Sequence, residues 1–296
     1  MRWWTNPRDG SSYPGVISDA MRLGYERVGS GAPLVLLHGV GHRRQAWYPV
    51  LDRLAAQREV ILVDLPGHGE SDPLVTGGRP IVDVLGDVLR GFLVDQQLER
   101  PHVAGNSLGG RIALEAAAAG DARSATALSP AGFWPTERAF GYTRALFATV
   151  SRVSQLLEPQ AERLARTSWG RIVACGWIAA HPTRIEPDQA LGDFRAFRRA
   201  EPALRELVAG ATRFSSVIAP DVPVTIAWAT RDAVLPRNQA NLARALLPHA
   251  QHILLPGCGH VPMSDDPRRV AGVILRGSAD GWQPRRAANG WKRTTA

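Results

Sequence analysis

Cysteine, lysine and long apolar runs are scarce in this chain of 296 residues. Its two cysteines, Cys175 and Cys258, are too few for a disulfide framework, so we expect both thiols to be reduced. No run approaches the ~18 apolar residues that a membrane span needs. Residues 1–12 also lack the apolar segment of a secretory signal. These absences predict a soluble, cytoplasmic protein without a membrane span.

The net charge of +8 raises the question of a nucleic-acid partner, because basic side chains neutralise phosphates. Every basic residue except Lys292 is arginine, and the arginines are scattered along a chain rich in Ala and Gly. Scattered charge is typical of a solvated surface. We therefore expect no nucleic-acid partner. The Gly-, Arg- and Ala-rich residues 279–296 are interpreted as a disordered basic tail.

Short apolar runs alternate with helical patterns over most of the chain. Uniformly apolar runs of this length are typical of parallel strands that are buried on both faces. The alternation predicts an α/β fold, with a mostly parallel sheet flanked by helices. The predicted strands are 33–37, 60–63, 102–104, 125–128, 222–228 and 252–255, and the predicted helices are 82–97, 108–119 and 238–247.

The alternation stops between residues 133 and 213, where helical patterns continue without a strand candidate. We interpret 133–213 as a helical cap insertion, and residues 1–132 and 214–278 as the α/β core. In an open sheet of this kind, the loops at the carboxyl ends of the strands form the functional site. An insertion at such a strand end would cover that site.

The sharpest chemical motif is Gly-Asn-Ser-Leu-Gly, which begins at Gly105 and centres on Ser107. An apolar strand leads into it and an Ala-rich helix follows it, the context of a nucleophile elbow. Gly105 and Gly109 would leave room for strand and helix to approach each other. The alternative is a glycine-rich structural turn. The context favours Ser107 as a catalytic nucleophile.

A serine nucleophile needs a base that is held by a third group. His260 lies in the loop after the last predicted strand and is the candidate base, the alternative being a loop-stabilising histidine. Asp232 follows the strand that ends near Trp228 and is the candidate acid. A turn-forming or capping role is its alternative. Asp221 is the weaker candidate acid, because it precedes its strand.

The oxyanion of an acyl-transfer reaction needs two preorganised N–H donors. We expect one from the backbone of Leu108, directly after the nucleophile. The second is expected from Val40, in the loop after the first long apolar strand. His38 in the same loop is interpreted as a residue that fixes the loop and not as a second base.

Together these motifs resemble the α/β-hydrolase superfamily from about Leu23 to Gly272, outside the insertion. The motifs are His38-Gly39, Asp64-Leu-Pro-Gly-His-Gly-Glu-Ser71, Gly105-Asn-Ser-Leu-Gly-Gly110, Asp232 with Pro236, and Gly259-His260. The resemblance implies an eight-stranded, mostly parallel sheet with a helical cap after the sixth strand. It also implies that Asp64–Ser71 is a structural turn without a catalytic role.

Within that family, Ser107 argues against haloalkane dehalogenases and epoxide hydrolases, which carry aspartate at the elbow. The elbow sequence is similar to those of esterases and of hydrolases that cleave carbon–carbon bonds in aromatic ring-fission products. The glycine-rich oxyanion loop of many such carbon–carbon hydrolases is replaced here by Val40-Gly-His-Arg43. An esterase is the favoured interpretation. The alternatives are a carbon–carbon hydrolase, a cofactor-free lyase or perhydrolase, and a non-catalytic binding protein.

The predicted cap is rich in aromatic residues, most of which we expect to pack the cap, while some face a cleft. They are Trp134, Phe140, Tyr142, Phe147, Trp169, Trp177, Phe194 and Phe197. We therefore expect a small hydrophobic acyl or aromatic substrate. Cys258 lies two residues before His260, but no further ligand completes a metal-binding spacing. We expect no metal and no cofactor, and the oligomeric state is left open.

Overall fold

The computed structural model describes residues 4–5, 12–13 and 21–279. Two short strands, β1 (Trp4–Thr5) and β2 (Ser12–Tyr13), pair antiparallel in a small sheet of their own. The basic tail predicted for 279–296 lies, after Ala279, outside the described residues.

A seven-stranded sheet forms the centre of the fold, in the order β3-β5-β4-β6-β7-β8-β9. Strand β3 is antiparallel to β5, and every other pairing is parallel. The strands are β3 (Tyr25–Val28), β4 (Pro33–Leu37), β5 (Glu59–Val63), β6 (His102–Asn106), β7 (Ser124–Leu128), β8 (Val224–Ala229) and β9 (Gln251–Leu255). The predicted α/β fold with a mostly parallel sheet is confirmed.

The implied count of eight strands is corrected to seven over the described residues. The two described strands that precede β3 do not extend the sheet. Each has two residues, and their backbone groups pair with each other instead of with the outer edge of β3.

Helices cover both faces of the sheet because alternate strand residues point to opposite sides. Val35 and Leu37 of β4 pack in one apolar cluster, whereas Leu34 and Leu36 pack in a second cluster. The first cluster includes residues of α2 (Ile81–Asp95) and α3 (Leu108–Ala119), and the second includes residues of α1 (Tyr48–Ala55) and α10 (Pro267–Gly277). The core therefore has two apolar layers, one on each face.

Between β7 and β8 the chain is helical and contains no strand. We call the segment α4–α8 the helical insertion. Its helices are α4 (Glu137–Leu157), α5 (Ala161–Arg166), α6 (Ser168–Cys175), α7 (Pro187–Arg199) and α8 (Glu201–Ala209), with short 3-10 turns at Glu158–Gln160 and Pro182–Arg184. After it, α9 (Gln239–Leu246) connects β8 to β9. Within the described part of the chain, none of these helices is both long and apolar enough to cross a membrane.

Candidate active site

Ser107 occupies a sharp turn between β6 and α3. Its backbone angles are φ 55° and ψ −115°, a conformation that is rare for a residue with a side chain. Its N–H donates to the Leu128 oxygen at 2.9 Å, and its own carbonyl accepts from Arg111 and Ala131 at 3.0 Å. These three hydrogen bonds fix the strained backbone of Ser107. Such an arrangement presents a serine side chain above the end of a sheet.

The glycines on either side of Ser107 are required by close approach of the backbone. A Cβ atom at Gly105 would lie 2.1 Å from the Gly109 carbonyl carbon. A Cβ atom at Gly109 would lie 2.1 Å from the Leu37 oxygen. Neither neighbour is a flexible side chain that could move away. Both positions therefore have the steric property that an elbow glycine needs.

His260 and Asp232 form a buried hydrogen-bonded pair. The His260 Nδ1 atom lies 2.8 Å from Asp232 Oδ2, and both side chains are almost completely shielded from solvent. The other carboxylate oxygen of Asp232 accepts from the backbone N–H groups of Val234 and Leu235, at 2.9 and 2.8 Å. The carboxylate is thus fixed by its own loop. With Nδ1 directed at Asp232, the Nε2 atom of His260 is the nitrogen left for proton transfer.

Asn106 connects the turn at Ser107, which we call the nucleophile turn after its predicted role, to the loop that follows β9 and contains His260, which we call the histidine loop. The side-chain amide of Asn106 donates to the main-chain oxygen of His260 at 2.9 Å and to that of Leu128 at 3.1 Å. Asn106 is 1% exposed, so both bonds lie in a dry environment where they are strong. The Asn106 amide therefore links the His260 backbone directly to the turn at Ser107.

The loop after β4 is held by the turn that contains His68. The Gly41 N–H donates to His68 Nε2 at 2.9 Å, and His68 Nδ1, which must then carry the proton, donates to the Pro66 oxygen at 2.9 Å. Burial lowers the pKa of His68 to about 4, so the ring stays neutral and Nε2 remains an acceptor. This arrangement fixes the backbone one residue after Val40.

His38 fixes the same loop, as expected. Its Nε2 accepts from the Leu65 N–H at 3.0 Å, and its Nδ1 is hydrogen-bonded to the Gly39 oxygen at 2.8 Å. Burial is the main cause that holds its pKa well below the usual value for histidine. Asp64, on the same turn as His68, pairs with the Arg44 guanidinium and accepts from the Arg44 N–H at 2.6 Å. Residues 64–71 therefore hold the loop after β4 through hydrogen bonds.

One cavity is lined both by the loops that carry Val40, Ser107 and His260 and by the helical insertion. Ser107, His260 and Val40 line it, whereas Asp232 lies behind His260 and Leu108 begins α3 outside the lining. Most of the wall is apolar and comes from α4, α6 and α7. Of the eight aromatic residues named above for the predicted cap, four line the cavity, namely Phe147, Trp177, Phe194 and Phe197. The other four serve packing or surface positions; Trp134 stacks on Phe140, for example, and Trp169 is 69% exposed.

Asp265 links the histidine loop to the helical insertion. Its Oδ2 accepts from the Gly259 N–H at 2.7 Å and from the Ala180 N–H at 2.9 Å, while Oδ1 accepts from the His181 N–H at 2.7 Å. Asp265 is 3% exposed. The backbone next to His260 and the connection between α6 and α7 of the insertion thus share one buried carboxylate.

The sequence analysis did not identify Asn106, Asp265, His68 or His42 as parts of this site. Asn106 lies inside the elbow motif, so its position was a usable signal. Asp265 and His68 act on residues that are distant along the chain, and no local pattern marks such contacts.

Comparisons with known proteins agree with this architecture. A model of the family described as "Alpha/beta hydrolase family" matches residues 34–273. An uncharacterised protein of Mycobacterium tuberculosis is 29% identical over 272 residues, which cover 86% of this chain and 77% of that protein. A 2-hydroxy-6-oxononadienedioate/2-hydroxy-6-oxononatrienedioate hydrolase of Paraburkholderia phymatum is 44% identical over 100 residues, 32% of this chain and 34% of that protein.

Solved structures share the fold at low sequence identity. A thermophilic esterase of Thermogutta terrifontis aligns with a TM-score of 0.64 and 20% identity, over 94% of this chain and 100% of the esterase chain. The family match spans most of the sheet, the nucleophile turn and the histidine loop. This chain therefore belongs to the α/β hydrolase family.

Proposed function

We propose that this protein is a serine hydrolase that cleaves carboxylic esters or related acyl compounds with a hydrophobic acyl or aromatic group. The observation that carries the proposal is the 2.8 Å contact between His260 and Asp232, in a cavity that Ser107 also lines. Ser107 is the nucleophile, His260 the general base and Asp232 the acid that orients the base.

In the first half of the reaction, His260 Nε2 removes the hydroxyl proton of Ser107 as Oγ attacks the substrate carbonyl carbon. The imidazolium that forms is stabilised by the Asp232 carboxylate. The tetrahedral oxyanion accepts hydrogen bonds from the backbone N–H groups of Val40 and Leu108. Collapse of this intermediate breaks the ester bond, and the leaving alcohol takes the proton from His260.

In the second half, a water molecule transfers a proton to His260 and attacks the acyl-enzyme carbonyl. The resulting intermediate expels Ser107, which regains its proton from His260, and the carboxylic acid is released. Atoms balance over the cycle with water as the only co-reactant, so the proposal requires no metal or cofactor.

Residues 133–213 are proposed to act as the cap that shapes the substrate pocket. The support is the apolar lining from α4, α6 and α7, which includes Phe147, Phe194 and Phe197. Pockets that bind small ligands are mainly apolar with few polar groups, and this one favours an acyl chain or an aromatic ring. The partner expected at this site is therefore a small hydrophobic molecule.

A carbon–carbon hydrolase is the second candidate, favoured by the relative from Paraburkholderia phymatum and by the Gly-Asn-Ser elbow sequence. The name of that relative denotes a dicarboxylate substrate. The described residues that line this cavity include no lysine or arginine, whereas Asp193 contributes a carboxylate. A dianion would be poorly compensated there, because burying a charge is costly without a partner. Ester cleavage is the better supported function.

The proposal is tested by treating the protein with a fluorophosphonate probe and measuring its intact mass, for the wild type and for Ser107→Ala. We expect one adduct on the wild type and none on the variant. p-Nitrophenyl esters of increasing chain length then measure turnover, and a vinylogous diketo acid tests carbon–carbon cleavage. Absence of an adduct on folded wild type would contradict the serine-hydrolase assignment. Cleavage of the diketo acid alone would assign the second candidate.

A further inference from the structure

His42 lies in the cavity without an assigned role. It is placed two residues after Val40, and its N–H donates to the Gly39 oxygen at 3.2 Å, which closes a tight turn. The residue is only 8% exposed and lines the same cavity as Ser107 and His260. Its imidazole is therefore held on a fixed backbone close to the predicted oxyanion donor.

The His42 ring has a buried nitrogen without a hydrogen-bond partner among the described residues. Of the described residues that line the cavity, only His42 has a buried side-chain nitrogen or oxygen without a hydrogen-bond partner, its Nδ1. Two hydroxyl groups in the lining are engaged, since Thr149 donates to the Ala145 oxygen and Ser154 donates to the Ser151 oxygen. A buried polar atom without a partner costs free energy unless a ligand or water completes it.

The charged groups around His42 favour binding of a neutral ligand group over an anion. Burial is the largest cause that lowers the pKa of His42, so the ring is neutral at physiological pH. The Asp193 carboxylate in the lining accepts a hydrogen bond from Arg43 Nε at 3.0 Å, so the Arg43 charge is compensated by Asp193. No free cation in the described lining remains to bind an anion.

We propose that His42 binds a hydroxyl group on the substrate's acyl portion, so that the preferred substrates are hydroxylated acyl compounds. This inference rests on the proposed function, because it assigns the acyl portion to the cavity that Ser107 lines. A hydroxyl can both donate and accept, and it therefore satisfies either tautomer of a neutral imidazole. The rest of the acyl portion lies against the apolar walls.

The test uses the Ser107→Ala variant, so that esters bind without being cleaved. Dissociation constants are measured by calorimetry for phenyl esters of a six-carbon acid and of the same acid with a hydroxyl at its second, third, fourth or fifth carbon. We expect at least one hydroxylated ester to bind about tenfold more tightly than the parent ester, the size of one buried hydrogen bond.

The same series is then measured with His42 replaced in the Ser107→Ala background. His42→Leu and His42→Phe both remove the ring nitrogens, so either variant that folds can be used, and folding is checked by thermal melting. We expect the preference for the hydroxyl to disappear, so that the parent ester and the hydroxylated esters bind alike. His42→Gln, which keeps a donor and an acceptor, should retain part of the preference.

Equal binding of the parent and all hydroxylated esters would overturn the proposal, as would a preference that survives His42→Leu. Tighter binding of a matched ester with a terminal carboxylate, lost in His42→Leu, would overturn the neutral-ligand inference. These results do not depend on turnover. Labelling of wild-type Ser107 by the fluorophosphonate separately decides the serine-hydrolase assignment.

Discussion

The side chain of Asn106 holds the backbone of His260 by a 2.9 Å hydrogen bond that spans 154 residues of sequence. Asn106 precedes Ser107, so the nucleophile turn and the histidine loop share one direct connection. The same amide also binds the Leu128 oxygen at the end of β7. Asn106 therefore contributes to the relative placement of Ser107 and His260 through hydrogen bonds to the main chain.

Asn106→Ala is expected to lower both stability and activity. The substitution removes the donor to the buried His260 oxygen and one of the two donors to the Leu128 oxygen, which costs about 1–3 kcal/mol of unfolding free energy. It also removes one anchor of the His260 backbone, so we expect a larger loss in kcat than in substrate binding. Urea unfolding and ester kinetics measure the two effects. Thr225→Val is the control, because the buried Thr225 hydroxyl has no hydrogen-bond partner among the described residues. A normal kcat in folded Asn106→Ala would refute this positioning role.

Gly109→Ala is expected to destabilise the protein by about 2–3 kcal/mol or more, because the new Cβ atom would lie 2.1 Å from the Leu37 oxygen. The matched control is Gly86→Ala within α2, where nothing lies within 4 Å of the added atom. That substitution should stabilise by about 0.5–1 kcal/mol, since alanine favours a helix. Both values come from urea unfolding. Equal stability of the two variants would show that the backbone can relax around Gly109.

Asp232→Asn should reduce ester turnover by about 10³–10⁴-fold with little loss of stability. The amide Oδ1 can still accept from Val234 and Leu235, but an amide opposite Nδ1 favours the wrong tautomer of His260. Asp221→Asn is the control, at an exposed position before β8. We expect kcat to stay near the wild-type value there. A large loss with Asp221→Asn and none with Asp232→Asn would transfer the acid role to Asp221.

The stability of the protein is expected to fall as pH drops from about 6.5 to about 4. His68 has a folded pKa of about 4, against 6.5 for an ordinary histidine, with burial as the main cause. Across this window the unfolded chain binds a proton that the folded protein does not, so stability rises with pH. The difference amounts to about 3 kcal/mol for His68.

Urea unfolding at several pH values between about 4 and 7 measures this slope. His68→Gln removes the titrating ring, and we expect its slope to be clearly smaller than that of the wild type. The remaining slope should include His38, whose pKa is also lowered mainly by burial. Identical slopes for the wild type and His68→Gln would mean that His68 does not titrate as its burial requires.

Much of the sheet could be predicted from the sequence, because most of its strands are buried on both faces. Strands of this kind are short, uniformly apolar runs in the sequence. The prediction for β4 matches the observed residues, and those for β5 and β9 differ by one residue at the start. Strand β3 was missed, since it lies at the edge of the sheet, three of its four residues are exposed, and its sequence shows no apolar run.

Candidate site residues can be nominated from the sequence where they carry a local signal. Ser107 is marked by its glycines, and His260 by its place after the last strand. Asp265 could not be identified in this way, because its hydrogen bonds go to residues 180–181, which are distant along the chain. Which cap aromatics face the cavity likewise depends on helix packing, and not on the spacing of aromatic residues.

The Asp265 carboxylate makes the helical insertion and the histidine loop parts of one mechanical unit. It holds the N–H groups of Ala180 and His181 on one side and that of Gly259 on the other. Displacement of the connection between α6 and α7 would therefore pull on the backbone beside His260. The geometry around His260 thus depends on how the insertion is packed as well as on the sheet.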